Sequence, residues 1–74
     1  MYTNDIRINA GVIWQLLSEK GKLSIREIGE LTHFRESFIY FALGWLSKEN
    51  KICFIEKEGM LYIELKQRVS EFYF

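Results

Sequence analysis

His33 and Cys53 are the chain's one histidine and one cysteine, and between them they bound the chemistry on offer. A structural zinc ion takes four Cys or His ligands and a disulfide takes two thiols, so this chain can build neither internally. No carboxylate and nucleophile are arranged around His33 at a recognisable spacing, which makes it a polar turn residue rather than a catalyst. Cys53 stands among β-forming residues and reads as a reduced packing thiol. There is no glycine-rich phosphate loop, nucleophile elbow or catalytic carboxylate pair. An enzyme, a cofactor, a metal and a small-molecule substrate are therefore not expected. The remaining conspicuous groups are aromatic. Trp14 and Trp45 lie at the margins of apolar helical arcs and read as core-edge packing. Val69, Phe72, Tyr73 and Phe74 make the segment 66–74 unusually apolar, so it is expected to dock on something, with a homodimer as the favoured outcome.

The elements that must hold these groups belong to one small domain, residues 1–74, with a core over about 5–65. Seventy-four residues support a single hydrophobic core and leave no room for separate substrate and catalytic layers. At 49% apolar and 27% charged the chain is far from the signature of disorder. A domain of this size is marginally stable, and without staples it must rely on packing, helped by self-association. Ten basic residues balance ten acidic ones, so no net charge draws the protein to phosphate; nucleic-acid binding has to rest on local geometry. The opening Met1-Tyr2-Thr3-Asn4-Asp5 lacks the pattern of a signal peptide, and no run approaches the roughly 18 apolar residues of a membrane span, so a cytoplasmic protein without a membrane partner is expected.

Ile6 and Ile8 alternate with Asp5 and Arg7, which suits a short N-terminal edge strand. Asn9 is then the N-cap of a first helix running from Ala10 to about Lys20 and ended by Gly21, with Val12, Ile13, Trp14, Leu16 and Leu17 on one broad apolar side. Ser24-Ile25-Arg26-Glu27 has the capping-box pattern and starts a second, short helix with Ile25, Ile28 and Leu31 on one stripe. Gly29 inside it implies a close neighbour. Thr32-His33-Phe34 has the length of a tight turn between crossed helices. A third helix over about 35–49 carries Phe38, Ile39, Phe41, Ala42, Leu43, Trp45 and Leu46 on a wide arc, with Asn50 suited to the left-handed position after it. The segments 52–56 and 60–65 form a hairpin. An even-numbered connection sets Ile52 opposite Leu65 and Phe54 opposite Ile63, gathering four apolar residues on one face, whereas a three-residue loop would mix the faces.

Helix, helix, tight turn, helix and hairpin, preceded by a short strand, is the order of a winged helix-turn-helix domain, an α+β but mainly α class in which the hairpin is the wing. The segments 24–32 and 42–52 look like its usual helix-turn-helix and the run into its first wing strand. More narrowly, Asn9-Ala10-Gly11-Val12-Ile13-Trp14-Gln15-Leu16-Leu17 and Ala42-Leu43-Gly44-Trp45-Leu46 resemble a family of small bacterial winged-helix domains, of Bacteroides type and uncharacterised function, over roughly residues 5–65. The resemblance implies a transcription regulator that reads double-stranded DNA with its third helix and wing. Carried onto this chain, Arg35, Ser37 and Tyr40 would contact base edges or nearby phosphates, and Lys48, Arg26 and Lys57 would contact phosphates. Winged helices also serve as protein-docking and dimerisation modules without nucleic acid. Tyr40 suits either use, since tyrosine is enriched at protein interfaces.

Overall fold

The computed structural model describes residues 5–66. Three helices and a three-stranded sheet follow one another as α1 (Ile6–Lys20), β1 (Leu23–Ser24), α2 (Ile25–Thr32), α3 (Glu36–Lys48), β2 (Ile52–Lys57) and β3 (Met60–Leu65). All pairings are antiparallel, in the order β1-β3-β2, so β3 is the central strand. One core joins the layers: Ile13 and Leu17 of α1, Ile28 of α2, Ile39, Leu43 and Leu46 of α3, and Leu23, Ile52 and Ile63 of the sheet.

The first helix starts four residues earlier than the alternation of Ile6 and Ile8 suggests, and there is no strand at 6–8. Asp5, not Asn9, is the cap, its carboxylate accepting from the backbone N–H of Arg7 (2.9 Å) and Ile8 (3.4 Å). The Arg7 guanidinium hydrogen-bonds the same carboxylate and, with those backbone donors, holds Asp5 below its usual 3.8. Four alternating residues fit either period; what decides is the next two turns, where Asn9, Ala10, Ile13 and Leu17 fall on one buried seam at helical spacing. That seam also narrows the apolar side expected of α1, because Val12 and Trp14 lie outside it and are exposed.

The turn chemistry follows the residues closely. Ser24 accepts from the Glu27 N–H (3.1 Å) while Glu27 accepts from the Ser24 N–H (2.8 Å), a complete capping box. The same Ser24 pairs with Tyr62 as part of β1, so the short strand lies after α1 and not before it, where the alternation at 5–8 suggests one. Two residues are too few to show a period, and only β3 beside them makes them a strand. Ser24→Ala is expected to cost about 1 kcal/mol, read as a lower urea midpoint, since it strips the Glu27 N–H of its partner at a buried helix start; an unchanged midpoint would show that the box contributes nothing. His33, at φ 61°, ends α2 in the left-handed conformation, and its N–H returns to the Gly29 carbonyl. Gly29 faces Ile39, yet a methyl there would meet its Cδ1 at an ordinary 3.6 Å, so the close approach implied by the glycine is absent. After α3 the N–H groups of Asn50 and Lys51 donate to the Ser47 and Leu46 carbonyls, a Schellman pattern with Asn50 at φ 61°.

The hairpin has the even connection. Ile52 faces Leu65, Phe54 faces Ile63 and Lys57 faces Met60, leaving Glu58 and Gly59 as a two-residue turn with φ positive at both positions, as a type I′ turn requires. Of the four apolar residues gathered on one face, Ile52 and Ile63 are buried and Leu65 packs partly against the core, but Phe54 is 47% exposed. β2 is an edge strand, and from Phe54 onward the ribbon runs beyond the cover of the helices; Met60 and Leu61 are exposed as well. The wing therefore projects. On α3 only Ile39, Ala42, Leu43 and Leu46 of the expected arc are fully buried, and Phe41 is 57% exposed.

Candidate nucleic-acid interface

α2, the tight turn and the start of α3 meet the wing tip around a groove of about 480 Å³. Its walls include Arg26 from the first turn of α2, Glu36 and Tyr40 from the first turns of α3, and Gly59, Met60 and Leu61 from the wing, with Ile25, Phe34 and Ile39 among the apolar residues. The helix-turn-helix sets this up through the left-handed His33 and the Thr32 hydroxyl, which accepts from the Phe34 N–H (3.1 Å) and donates to the Ile28 carbonyl (2.7 Å). These bonds satisfy the backbone of a three-residue turn and aim α3 across α2.

Of the six residues implied as nucleic-acid contacts, Arg26 and Tyr40 line this groove directly. Lys57 stands opposite Met60 at the wing tip. Arg35 is the N-cap residue of α3 and makes no side-chain cap bond; it and Ser37, one residue to either side of Glu36, are exposed. Lys48 lies apart, at the other end of α3 and about 20 Å from Arg35 at 1.5 Å per residue. Its ammonium sits 4.9 Å from the centre of the Trp45 ring. Five of the six thus surround one end of the molecule. Val69, Phe72, Tyr73 and Phe74, expected to form an interaction surface, lie outside the described residues.

The electrostatics are mixed. Arg26 pairs with Glu30 (3.3 Å), Glu36 shares the groove with Arg26, and Lys57 is flanked by Glu56 and Glu58. Arg35 has no ion pair among the described residues and is the least compensated cation of the group. Sequence reasoning missed Met60 and Leu61 as groove residues: strand alternation puts Leu61 on the face of Ile63, which reads as core, and only the projection of the wing leaves it in water. No cluster of three metal-ligating side chains occurs among the described residues, and no helix there is long and apolar enough to cross a membrane.

Comparison with known proteins agrees with this architecture. A solution NMR structure of protein BT2368 from Bacteroides thetaiotaomicron superimposes with a TM-score of 0.75 at 32% sequence identity, over 81% of this chain and 73% of that one. No curated protein matches. The family described as Winged helix-turn-helix domain (DUF2582) matches residues 1–65, which takes in all three helices and the whole wing. By that match over most of its length, and by a fold that has each part of the motif in place, the chain belongs to the DUF2582 winged helix-turn-helix family.

Proposed function

We propose that the domain is a DNA-binding regulator that lays the N-terminal part of α3 into the major groove and touches the backbone with the wing and the start of α2. One observation carries this reading: Arg35, Ser37 and Tyr40 project from the start of α3 into solvent, unused by the core, with Arg26 and Lys57 beside them. An Arg fork suits guanine O6 and N7, and the hydroxyls suit phosphate oxygens. Because so few cations are involved, one copy binds weakly, and a homodimer that reaches two half-sites about one helical turn apart supplies the missing contacts.

The expected result is salt-sensitive binding to mixed duplex fragments at low ionic strength. If Arg26, Arg35 and Lys57 each neutralise one phosphate, log K per copy falls with log salt at a slope of about −3. Fluorescence anisotropy across a salt series measures it. Absence of salt-sensitive binding at tens of micromolar protein would remove this reading.

A second reading, a protein-docking module on the same scaffold, is favoured by the groove's own lining. Ile25, Phe34, Ile39, Met60 and Leu61 are apolar, and Arg26 and Glu36 cancel. Under it, association with a protein partner persists at salt concentrations that abolish phosphate contacts.

A further inference from the structure

A second groove, of about 290 Å³, lies on another part of the surface between α1 and α3. Trp14 and Trp45, the chain's two tryptophans, both line it, with Gly11 beside them and Arg7 and Lys51 as its charged residues. Trp14 is 40% exposed, a large apolar area to leave in water beside a second indole. We propose that this groove is the docking site of the chain's own segment Gln67–Phe74.

Three observations name that occupant. The first is where the chain leaves the sheet. The Lys66 N–H donates to the Lys51 carbonyl (2.9 Å), and the Lys66 ammonium donates to the Asn50 side-chain oxygen (2.7 Å), so the last described residue is tied to a residue that lines the groove. The second is length. Arg7 to Trp14 covers two turns of α1, about 10 Å, while eight extended residues reach about 26 Å. The third is chemistry. Val69, Phe72, Tyr73 and Phe74 match the two indoles in character; Glu71, the segment's one acid, stands among them, three residues beyond its one base, Arg68. No acid lines the groove against Glu71, and the groove's two charged residues are cations at the surface, each paired with one carboxylate: Arg7 with the partly exposed Asp5 (3.4 Å) and Lys51 with the exposed Glu49 (3.5 Å). Such surface pairs are weak enough to exchange partners. The family match ends at residue 65, so this contact would be a feature of the chain's own extension, and it leaves the α3–wing face free.

The two tryptophans report on the groove directly. In the full-length chain carrying Phe72→Ser, Tyr73→Ser and Phe74→Ser together, the emission should shift to the red and acrylamide should quench it faster, with the helical circular dichroism unchanged. A second variant, Gly11→Glu, should produce the same shift. Its Cβ enters open space, and glutamate favours a helix more than glycine does, so the fold is kept. Wild-type emission should not depend on protein concentration. Two results would overturn the proposal. Identical emission and quenching in the wild type and the triple variant would mean that the segment does not cover the indoles. A red shift of the wild type on dilution, tracking a fall from dimer to monomer mass, would assign the groove to a second copy instead.

Discussion

Ile63→Ala is expected to remove about 2–5 kcal/mol of stability, the range for truncating a fully buried aliphatic side chain whose site cannot collapse. Ile63 has no exposed surface and sits in the central strand, flanked by Leu23 of β1 on one side and Phe54 of β2 on the other. A residue in that position ties both outer strands to the helices at once. At about 0.05–0.15 kcal/mol per residue a domain of this size holds only about 4–11 kcal/mol in all, so the variant should be partly unfolded without denaturant, or close to it. Urea melts followed by far-ultraviolet circular dichroism measure the loss. Phe54, its partner in the register, supplies the contrast within the same melts, because its half-exposed ring fills no enclosed site and truncating it leaves no cavity. A loss below about 1 kcal/mol at Ile63 would mean that the sheet is not fastened to the helical core as described.

Arg35→Ala should leave the melt unchanged and weaken DNA binding by about 1–3 kcal/mol, a factor of about 5 to 150, if the guanidinium reads a base. Both halves of that expectation follow from its setting. Arg35 is exposed at the helix start, contributes no side-chain cap bond and has no ion pair among the described residues, so the fold loses nothing that it supplies. The groove beside it already contains Glu36, which makes Arg35 the cation on which attraction to the duplex most depends. If its contact is to phosphate, the loss is uniform across sequences and the salt slope becomes shallower by about one. Anisotropy titrations on one mixed and one enriched sequence separate the two cases. Unaltered affinity and slope would place the start of α3 outside any duplex contact and leave the protein-docking reading of the groove.

Much of the architecture was legible residue by residue. The Ser24–Glu27 box, the turn at His33 and the left-handed Asn50 are all short-range devices, and each stands where its residue types place it. The hairpin register was legible for a related reason: with a side-chain period of two, only an even loop keeps Ile52, Phe54, Ile63 and Leu65 together. The start of α1 was not, because Ile6 and Ile8 satisfy a strand period as well as a helical one until the burial of Asn9 and Ala10 selects the helix. The candidate site was half legible. Arg26, Tyr40 and Lys57 do gather at one end of the molecule, but nothing in the spacing of Met60 and Leu61 tells a buried strand end from a projecting wing, and Lys48 proved to be an α3 length away.

By itself, then, the sequence determined the end of α1, the start of α2, the end of α3, the turn between α2 and α3, the pairing of the wing and the balance of charge, since all of these depend on side chains within a few residues of one another or on simple sums. Only the tertiary structure decided that Leu23–Ser24 is a strand, that Phe54 and Phe41 remain in water, and that two tryptophans 31 positions apart line one groove. These outcomes turn on which surfaces the three helices and the sheet cover when they meet, and no local pattern contains the shape of the partner that does the covering.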